Sequence, residues 1–277
     1  MSIWDELEAA LDDAVVDRQP VSGGDINEAS RVRLASGRMV FVKHHPRPPR
    51  AMFAREAEGL AWLAEAQAVR TPEVLGTGDR WLALDWIERG RPARDHDEAF
   101  GRGLAALHRA GADGFGWRVD NTIGTLVQRN ATDSTWGAFY ASCRLEPLVA
   151  SAGAALRHLR RDFERLYPRL DGLFPNEPPA RLHGDLWGGN AMVGENGEPI
   201  LIDPAVYGGH REMDLAMMEL FGGFSPRVFA AYEEAFPTAP GRAERVGLAQ
   251  LYPLLVHVNL FGGGYVGSVE AALRRYL

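Results

Sequence analysis

The stretch that decides the fold is HGDLWGGN at residues 183–190, which is followed by IDP at residues 202–204. Asp185 and Asn190 stand five positions apart, and Asp203 lies thirteen positions beyond Asn190. Each of them alone is typical of a turn or loop residue beside glycines. Together they offer a carboxylate that can take a proton and further carboxylate and amide oxygens of the kind that Mg²⁺ prefers. The ordered set therefore predicts two loops that share one reaction site.

The same groups are those that phosphoryl transfer from ATP requires, and their order matches the catalytic Asp, metal-binding Asn and metal-binding Asp of protein kinases. A kinase also needs a strand lysine for the α and β phosphates and a helix glutamate that fixes it. Lys43 ends a predicted strand, and Glu56 lies in the helix predicted after it. We predict this pair, with Glu58 as the rival partner on a different face of the helix.

The first part of the chain reads as a small sheet with helices. Apolar residues at helical spacing predict a helix over residues 3–16, and alternation around Val32 and Leu34 predicts a strand. The other predicted elements here are a strand over residues 39–43, a helix over residues 52–67 and two short strands within residues 74–90.

Helical patterns dominate the remainder. They predict helices over residues 96–110 and 135–167, the latter interrupted near Pro147, and again from Asp214 to the C-terminus. A strand pair is predicted around the turn at residues 195–197. We therefore predict an α+β, bilobal protein: a small antiparallel β-sheet N-lobe over residues 1–88, a mainly helical C-lobe over residues 89–277, and a cleft between them.

Two segments are candidates for ATP binding. Gly23 and Gly24 precede the first strand of the predicted hairpin, where a phosphate-covering loop belongs, although GGDINEAS does not match GxGxxG and also reads as a plain turn. Asp85, Trp86 and Ile87 end the small lobe, where backbone groups can hydrogen-bond an adenine edge; an edge strand is the alternative.

Composition narrows the class of partner. Thirty Lys and Arg against 37 Asp and Glu give a net charge of −7, which argues against a general nucleic-acid binder. The one cysteine, Cys143, cannot form an intramolecular disulfide, and no His/Cys cluster has zinc-site spacing. No apolar stretch approaches the ~20 residues that span a bilayer, and the first residues lack the pattern of a secretory signal. We expect a cytoplasmic protein without membrane or nucleic-acid partners, and a monomer is favoured.

Four stretches resemble the fructosamine kinases, or ketosamine 3-kinases, within the aminoglycoside phosphotransferase-like group of the protein-kinase fold. They are FVKHH with FAREAEGLAWL, FGWRVDNTIGTLVQRNATDSTWGAFYASCRLEPLV, RLHGDLWGGNAMV and IDPAVYGGHREMDLAMMELFGGF. The resemblance runs from about residue 18 to the C-terminus. It implies ATP-dependent phosphorylation of the 3-hydroxyl of a ketosamine, free or on a glycated protein lysine, to give an unstable 3-phosphate that releases the amine.

Carried over residue by residue, the resemblance implies that Asp185 is the catalytic base and that Asn190 and Asp203 bind Mg²⁺. It implies that Lys43 anchors the phosphates and that Glu56 is its partner.

The resemblance also suggests roles for neighbouring residues. Trp187 would form a wall for the sugar-amine, His210 would reach the substrate, and Asp214 with His183 would brace the catalytic loop. A packed tryptophan, a structural loop histidine and an ordinary N-cap are the plainer interpretations of these residues. His108 reads as a core residue.

Two other functions stay open at this point. One is a kinase for an aminoglycoside, choline or another amino-alcohol. The other is a catalytically dead nucleotide sensor, which is disfavoured because every catalytic and metal position holds a competent residue.

Overall fold

The computed structural model of the protein describes residues 2–21 and 27–277. Its first part forms a five-stranded antiparallel sheet in the order β1-β2-β3-β5-β4. The elements are α1 (Ile3–Leu11), β1 (Val15–Pro20), β2 (Glu28–Leu34), β3 (Met39–His44), α2 (Met52–Glu65), β4 (Val74–Gly78) and β5 (Trp81–Asp85). The predicted β2–β3 and β4–β5 hairpins are both present.

Each face of this sheet has its own buried cluster. Leu7 of α1 packs with Val40 and Val42 on one face, and Leu60 of α2 packs with Leu82 on the other. Because side chains alternate along a strand, the residue after Val42 points to the α2 face. Lys43 is therefore directed toward helix α2.

The second part of the chain is mainly helical and encloses the largest buried cluster. Its helices are α3 (His96–Arg109), α4 (Trp136–Phe139), α5 (Glu146–Ser151), α6 (Arg160–Leu166), α7 (Leu170–Leu173), α8 (Glu212–Phe221), α9 (Pro226–Ala235), α10 (Arg242–Phe261) and α11 (Val266–Leu273). Its strands are β6 (Asn121–Ile123), β7 (Leu126–Gln128), β8 (Ala180–Leu182), β9 (Ala191–Val193), β10 (Pro199–Leu201) and β11 (Tyr207–Gly209). Among the helices described, none is long and apolar enough to cross a membrane.

Three two-stranded sheets in this part, β6–β7, β8–β11 and β9–β10, fix the loops of interest. Leu182 of β8 pairs with Tyr207 of β11, and Ala191 of β9 pairs with Leu201 of β10. The loop at residues 183–190 therefore starts and ends beside the loop at residues 202–206. The two loops that carry Asp, Asn and Asp run side by side for this reason.

The opening helix differs from its prediction. It ends at Leu11 because Asp12 adopts a left-handed conformation with φ of 51°, and the chain then enters β1 at Val15. The sequence does not predict strand β1, because this strand is an exposed edge strand without an alternating pattern. Pro20 ends this strand, a position where its missing N–H is tolerated at a sheet edge.

The long predicted helices are divided differently. Pro147 lies in the first turn of α5, which follows directly on a π-helical segment at Tyr140–Leu145, so the α-helical run is interrupted just before this proline. The interruption predicted near Pro147 is therefore present, and the run ends near Gly153, which has φ of 54°. The predicted C-terminal helical region begins at Glu212 and is split into α8, α9, α10 and α11.

Candidate active site

Lys43 lies at the centre of a charge cluster that joins the two parts of the chain. Its Nζ donates to Glu56 Oε1 at 2.8 Å and to Asp203 Oδ1 at 2.9 Å. Burial alone would lower the pKa of Lys43, but the carboxylates of Asp203 and Glu56 outweigh it and raise that pKa. Lys43, which is only 7% exposed, therefore carries its positive charge.

Glu58 has different partners. Its carboxylate binds Arg55 Nη1 at 2.7 and 2.8 Å and Arg118 Nη2 at 3.1 Å. The structure thus brings Glu56, and not Glu58, to Lys43.

The loop after β8 brings Asp185 and Asn190 into direct contact. Asn190 Nδ2 donates to the Asp185 carboxylate at 2.9 Å and to the Asp185 backbone oxygen at 2.8 Å. Because both bonds use the amide nitrogen, Asn190 Oδ1 is turned away from Asp185. The adjoining loop is tied on by a hydrogen bond of 3.0 Å from Ile202 N to Asn190 O.

Burial raises the pKa of Asp185 to about 7, with the negative charge of Asp203 adding to the effect and the hydrogen bond from Asn190 opposing it. A divalent cation bound nearby would favour the charged carboxylate and lower that pKa. The group is thus a carboxylate whose charge depends on cationic partners in the site.

Asp214 braces the backbone of the loop at residues 183–190, the predicted catalytic loop. Its Oδ2 accepts from His183 N at 2.8 Å, and its Oδ1 accepts from Gly184 N at 2.9 Å. His108, which is buried as expected, lies 3.2 Å from Asp214 Oδ2 and 2.8 Å from the Tyr232 hydroxyl. The two residues before Asp185 are therefore held by one buried carboxylate.

His183 braces the loop at residues 202–206, which carries Asp203. Its Nε2 donates to the backbone oxygen of Ile202 at 2.9 Å, and its Nδ1 accepts from Asp185 N at 3.3 Å. Its backbone oxygen also accepts from Ala205 N at 2.9 Å. His183 thus ties the loop at residues 183–190 to the backbone before and after Asp203.

Asp214→Asn should destabilise the fold by about 2–3 kcal/mol, because an amide nitrogen would face a backbone N–H that now donates to carboxylate. Burial on its own raises the pKa of Asp214, but hydrogen bonding and attraction from His108 and His183 outweigh it, so that the pKa is lowered. The carboxylate therefore adds stability above the ordinary aspartate value of 3.8, and this stability is lost as the pH falls through the lower, folded-state value. Chemical denaturation between neutral and acidic pH checks this: the stability of the variant should depend less on pH. Parallel pH curves for the two proteins would contradict it.

The side chains at the end of β5 and just after it are occupied by contacts within the protein. The Asp85 carboxylate accepts from Glu73 N and from Arg70 Nη2 at 3.2 Å. Trp86 packs against Phe41, and Ile87 is buried. Only backbone groups of this segment remain as candidates for adenine binding, which stays a prediction. Gly23 and Gly24 lie outside the described residues.

The two proposed substrate contacts lie in different places. Trp187 is 43% exposed in the catalytic loop, and its ring lies against Gly189. His210 follows β11, whose last residue pairs with Ala180 at the start of β8, whereas Asp185 follows the other end of β8. His210 is also fully buried, with its ring 5.1 Å from that of Phe174. The structure therefore does not bring His210 to Asp185.

The oxygen atoms present fit a hard divalent cation. In the described residues no group of three or more His, Cys, Asp or Glu is arranged to hold a metal. A kinase-type Mg²⁺ site does not need one, because one Asp, one Asn and the phosphates supply the ligands. Asn190 Oδ1, which is turned away from Asp185, and the half-exposed carboxylate of Asp203 provide that donor set.

Two residues for which the sequence predicts no role also contact the loop at residues 202–206. Asn121 Nδ2 donates to Val206 O at 2.9 Å, and Gln128 Nε2 donates to Ala205 O at 3.0 Å. Both side chains are buried. The signal that could have found them is a pair of carboxamides on short strands inside one of the four recognised stretches.

The fold and the site together define a kinase of the protein-kinase-like fold that phosphorylates a hydroxyl group. An aminoglycoside phosphotransferase bound to gentamicin shares this fold, with a TM-score of 0.61 at 13% identity over 99% of this chain and 94% of the other. The predicted fold class is therefore confirmed.

Closer matches show the family. A family model for fructosamine kinase matches residues 1–277. A "probable ketoamine kinase" from Synechocystis sp. is 39% identical over 95% of this chain and 91% of its own length. A chloroplastic "protein-ribulosamine 3-kinase" from Arabidopsis thaliana is 36% identical over 93% and 81%. A crystal structure from Thermobifida fusca, assigned to the fructosamine-3-kinases, has a TM-score of 0.91 and 39% identity over 99% and 98%. This chain belongs to the fructosamine kinase family, as its sequence motifs predict.

Proposed function

We propose that the protein transfers the γ-phosphoryl group of ATP to the 3-hydroxyl of a ketosamine. The relative from Arabidopsis, named a protein-ribulosamine 3-kinase, supports that acceptor class. The substrate would be a ribulosamine or fructosamine, free or on a glycated protein lysine, and breakdown of the 3-phosphate would release the amine. The unpaired cysteine, Cys143, is consistent with a cytoplasmic reaction.

One observation carries this proposal. Lys43 bonds Asp203 at 2.9 Å across the two parts of the chain, while Asn190 bonds Asp185 at 2.9 Å within the catalytic loop. The two loops are joined by the bond from Ile202 N to Asn190 O. These bonds bring together the side chains to which we assign the roles of base, metal ligands and phosphate anchor, between the proposed lobes of residues 1–88 and 89–277.

In the proposed reaction, Lys43 binds the phosphates and Glu56 keeps its ammonium group in place. Asp185 accepts the proton of the sugar 3-hydroxyl as its oxygen attacks the γ-phosphorus, the bond from that phosphorus to the β–γ bridging oxygen breaks, and ADP leaves. Asn190 orients the Asp185 carboxylate through its amide nitrogen. Such transfers depend mainly on positioning and on neutralisation of charge, which this cluster of fixed groups supplies.

Asn190 and Asp203 would hold Mg²⁺. When bound, the ion neutralises charge on the transferred phosphoryl group and orients the phosphates. The other groups of the site come from three elements: Lys43 from β3, Glu56 from α2 and Asp185 from the loop at residues 183–190.

A substrate panel tests the proposal. With ATP and Mg²⁺, the enzyme should phosphorylate ribulosamine or fructosamine, and mass spectrometry of glycated lysine before and after reaction should show the phosphate and then the freed amine. Activity confined to aminoglycosides or to choline would replace the ketosamine with that acceptor. Binding of ATP without transfer to any member of the panel would favour a nucleotide sensor.

Trp187→Ala should raise KM for the ketosamine about 10-fold and change KM for ATP little, because an aromatic face contributes about 1 kcal/mol or more to a stacked ligand. A ring that is 43% exposed contributes little to the core, so the melting temperature should stay nearly constant. Steady-state kinetics with each substrate varied checks this. An unchanged KM for the ketosamine would remove Trp187 from the acceptor site.

A further inference from the structure

Two buried carboxamides hold the backbone two and three residues after Asp203. Gln128 Nε2 donates to the oxygen of Ala205 at 3.0 Å, and Asn121 Nδ2 donates to the oxygen of Val206 at 2.9 Å. The two side chains are 2% and 6% exposed. Both come from the β6–β7 hairpin, which contributes no group to the proposed chemistry. We propose that Gln128 and Asn121 are positioning residues that fix Asp203 for metal binding.

Asp203 needs such support because its backbone is strained. Its φ of 55° lies in the left-handed region, which non-glycine residues adopt at a cost and keep only where the surroundings determine the conformation. On the preceding side, Ile202 is held through its N–H by Asn190 O and through its oxygen by His183 Nε2. On the following side, the side-chain donors to the backbone are Gln128 and Asn121. The strained residue is thus clamped from both directions.

A buried arginine determines how the side-chain amide of Asn121 is oriented. Arg144 is fully buried against the face of Tyr207, 3.9 Å from the ring centroid, and its Nη2 donates to Asn130 Oδ1 at 2.8 Å. An arginine has only donors, so Asn130 must present its oxygen to it. Asn130 Nδ2 then donates to Asn121 Oδ1 at 2.8 Å, which turns Asn121 Nδ2 toward Val206.

A tyrosine determines how the side-chain amide of Gln128 is oriented. The Tyr252 hydroxyl donates to Gln128 Oε1, and burial raises the pKa of Tyr252 so that the hydroxyl keeps its proton. Gln128 Nε2 is thereby turned to Ala205 O and to Asn121 Oδ1, the latter at 2.8 Å. Each amide has one allowed orientation, and both chains of hydrogen bonds end on the backbone beside Asp203.

This inference rests on the proposed function, because it takes Asp203 as a metal ligand. Partners that orient metal ligands in this way are commonly worth a factor of about 10 to 100 in metal affinity. A purely structural role would lower stability without altering how binding depends on the metal.

The test measures ADP binding by calorimetry, with Mg²⁺ and separately with EDTA, in the full-length protein. Gln128→Met keeps the length of the side chain and removes both donors. It should weaken Mg²⁺-ADP binding by about 10-fold or more and leave ADP binding in EDTA unchanged. Tyr252→Phe removes only the hydroxyl that orients Gln128, and should shift Mg²⁺-ADP binding in the same direction by a smaller factor.

Gln250→Met is the matched control. Gln250 Nε2 also donates to a backbone oxygen at 3.0 Å, that of Ala216, and so joins α10 to α8 and not to the loop at residues 202–206. This variant should bind ADP like the parent in both buffers, whatever its melting temperature.

Asp203→Asn distinguishes the metal-binding role proposed for Asp203 from the positioning role proposed for Gln128 and Asn121. If Mg²⁺ does not tighten ADP binding in the parent, or still does so in Asp203→Asn, the metal role in the proposed function fails. If the parent gains affinity from Mg²⁺, Asp203→Asn loses that gain, and both Gln128→Met and Tyr252→Phe keep it, the positioning role alone is wrong. A loss of ADP affinity in EDTA as large as that in Mg²⁺ for Gln128→Met would also overturn it.

Discussion

Asp185→Asn should lower kcat by about 10²- to 10⁴-fold, the range that a positioned general base contributes. The amide has the same shape, so Asn190 can still donate to its oxygen, but the new side chain cannot take the proton of the acceptor hydroxyl. Stability should not fall, because burial raises the pKa of Asp185 to about 7 and a neutral amide avoids the cost of a buried charge. Steady-state kinetics and thermal unfolding measure these two quantities.

Asp171→Asn is a matched control for this substitution. Asp171 accepts from Gly137 N at 2.8 Å and from the Thr135 hydroxyl at 3.0 Å, at the start of α4. Its conversion to Asn should reduce stability and leave kcat at the parent value. Turnover of a ketosamine by Asp185→Asn at the parent rate would remove Asp185 from the role of base.

The sequence predicts site residues where residue type and order match what the reaction requires. Residue type and order point to Asp185, Asn190 and Asp203, and the hydrogen bonds of the structure connect the loops that carry them. Lys43 and Glu56 were selected by strand and helix position, and they form an ion pair of 2.8 Å. Spacing alone left Glu58 as a rival, since only the contacts of Arg55 and Arg118 show where its charge is used.

Features that depend on distant pairing could not be predicted. Strand β1 is recognisable only from its pairing with β2, because its residues are almost all exposed. His210 lies close in sequence to Asp203, yet the pairing of β8 with β11 carries it to the far end from Asp185. The roles of Asn121 and Gln128 depend on carbonyl groups about 80 residues further along the chain. Local patterns carry no information about such contacts.

Gly184→Ala should be the most damaging single-methyl change in the catalytic loop. Gly184 has φ of 83°, and a Cβ built there would lie 2.0 Å from the backbone oxygen of Ala205. Neither side can yield easily, because Gly184 N is bound to Asp214 and Ala205 O to Gln128. Left-handed strain and overpacking together should cost about 3 kcal/mol or more of the free energy of unfolding. Displacement of the next residue, Asp185, should lower kcat by at least about 100-fold.

Gly37→Ala separates the backbone strain from the steric overlap. Gly37 has φ of 89° in the turn between β2 and β3, but no atom lies within 4 Å of a Cβ placed there. This variant should therefore lose only the conformational part, about 1–2 kcal/mol, and keep its kcat. Denaturant titration and steady-state kinetics on both variants measure the difference. If Gly184→Ala lost no more stability than Gly37→Ala, the contact between Gly184 and Ala205 would not be what fixes the path of the catalytic loop.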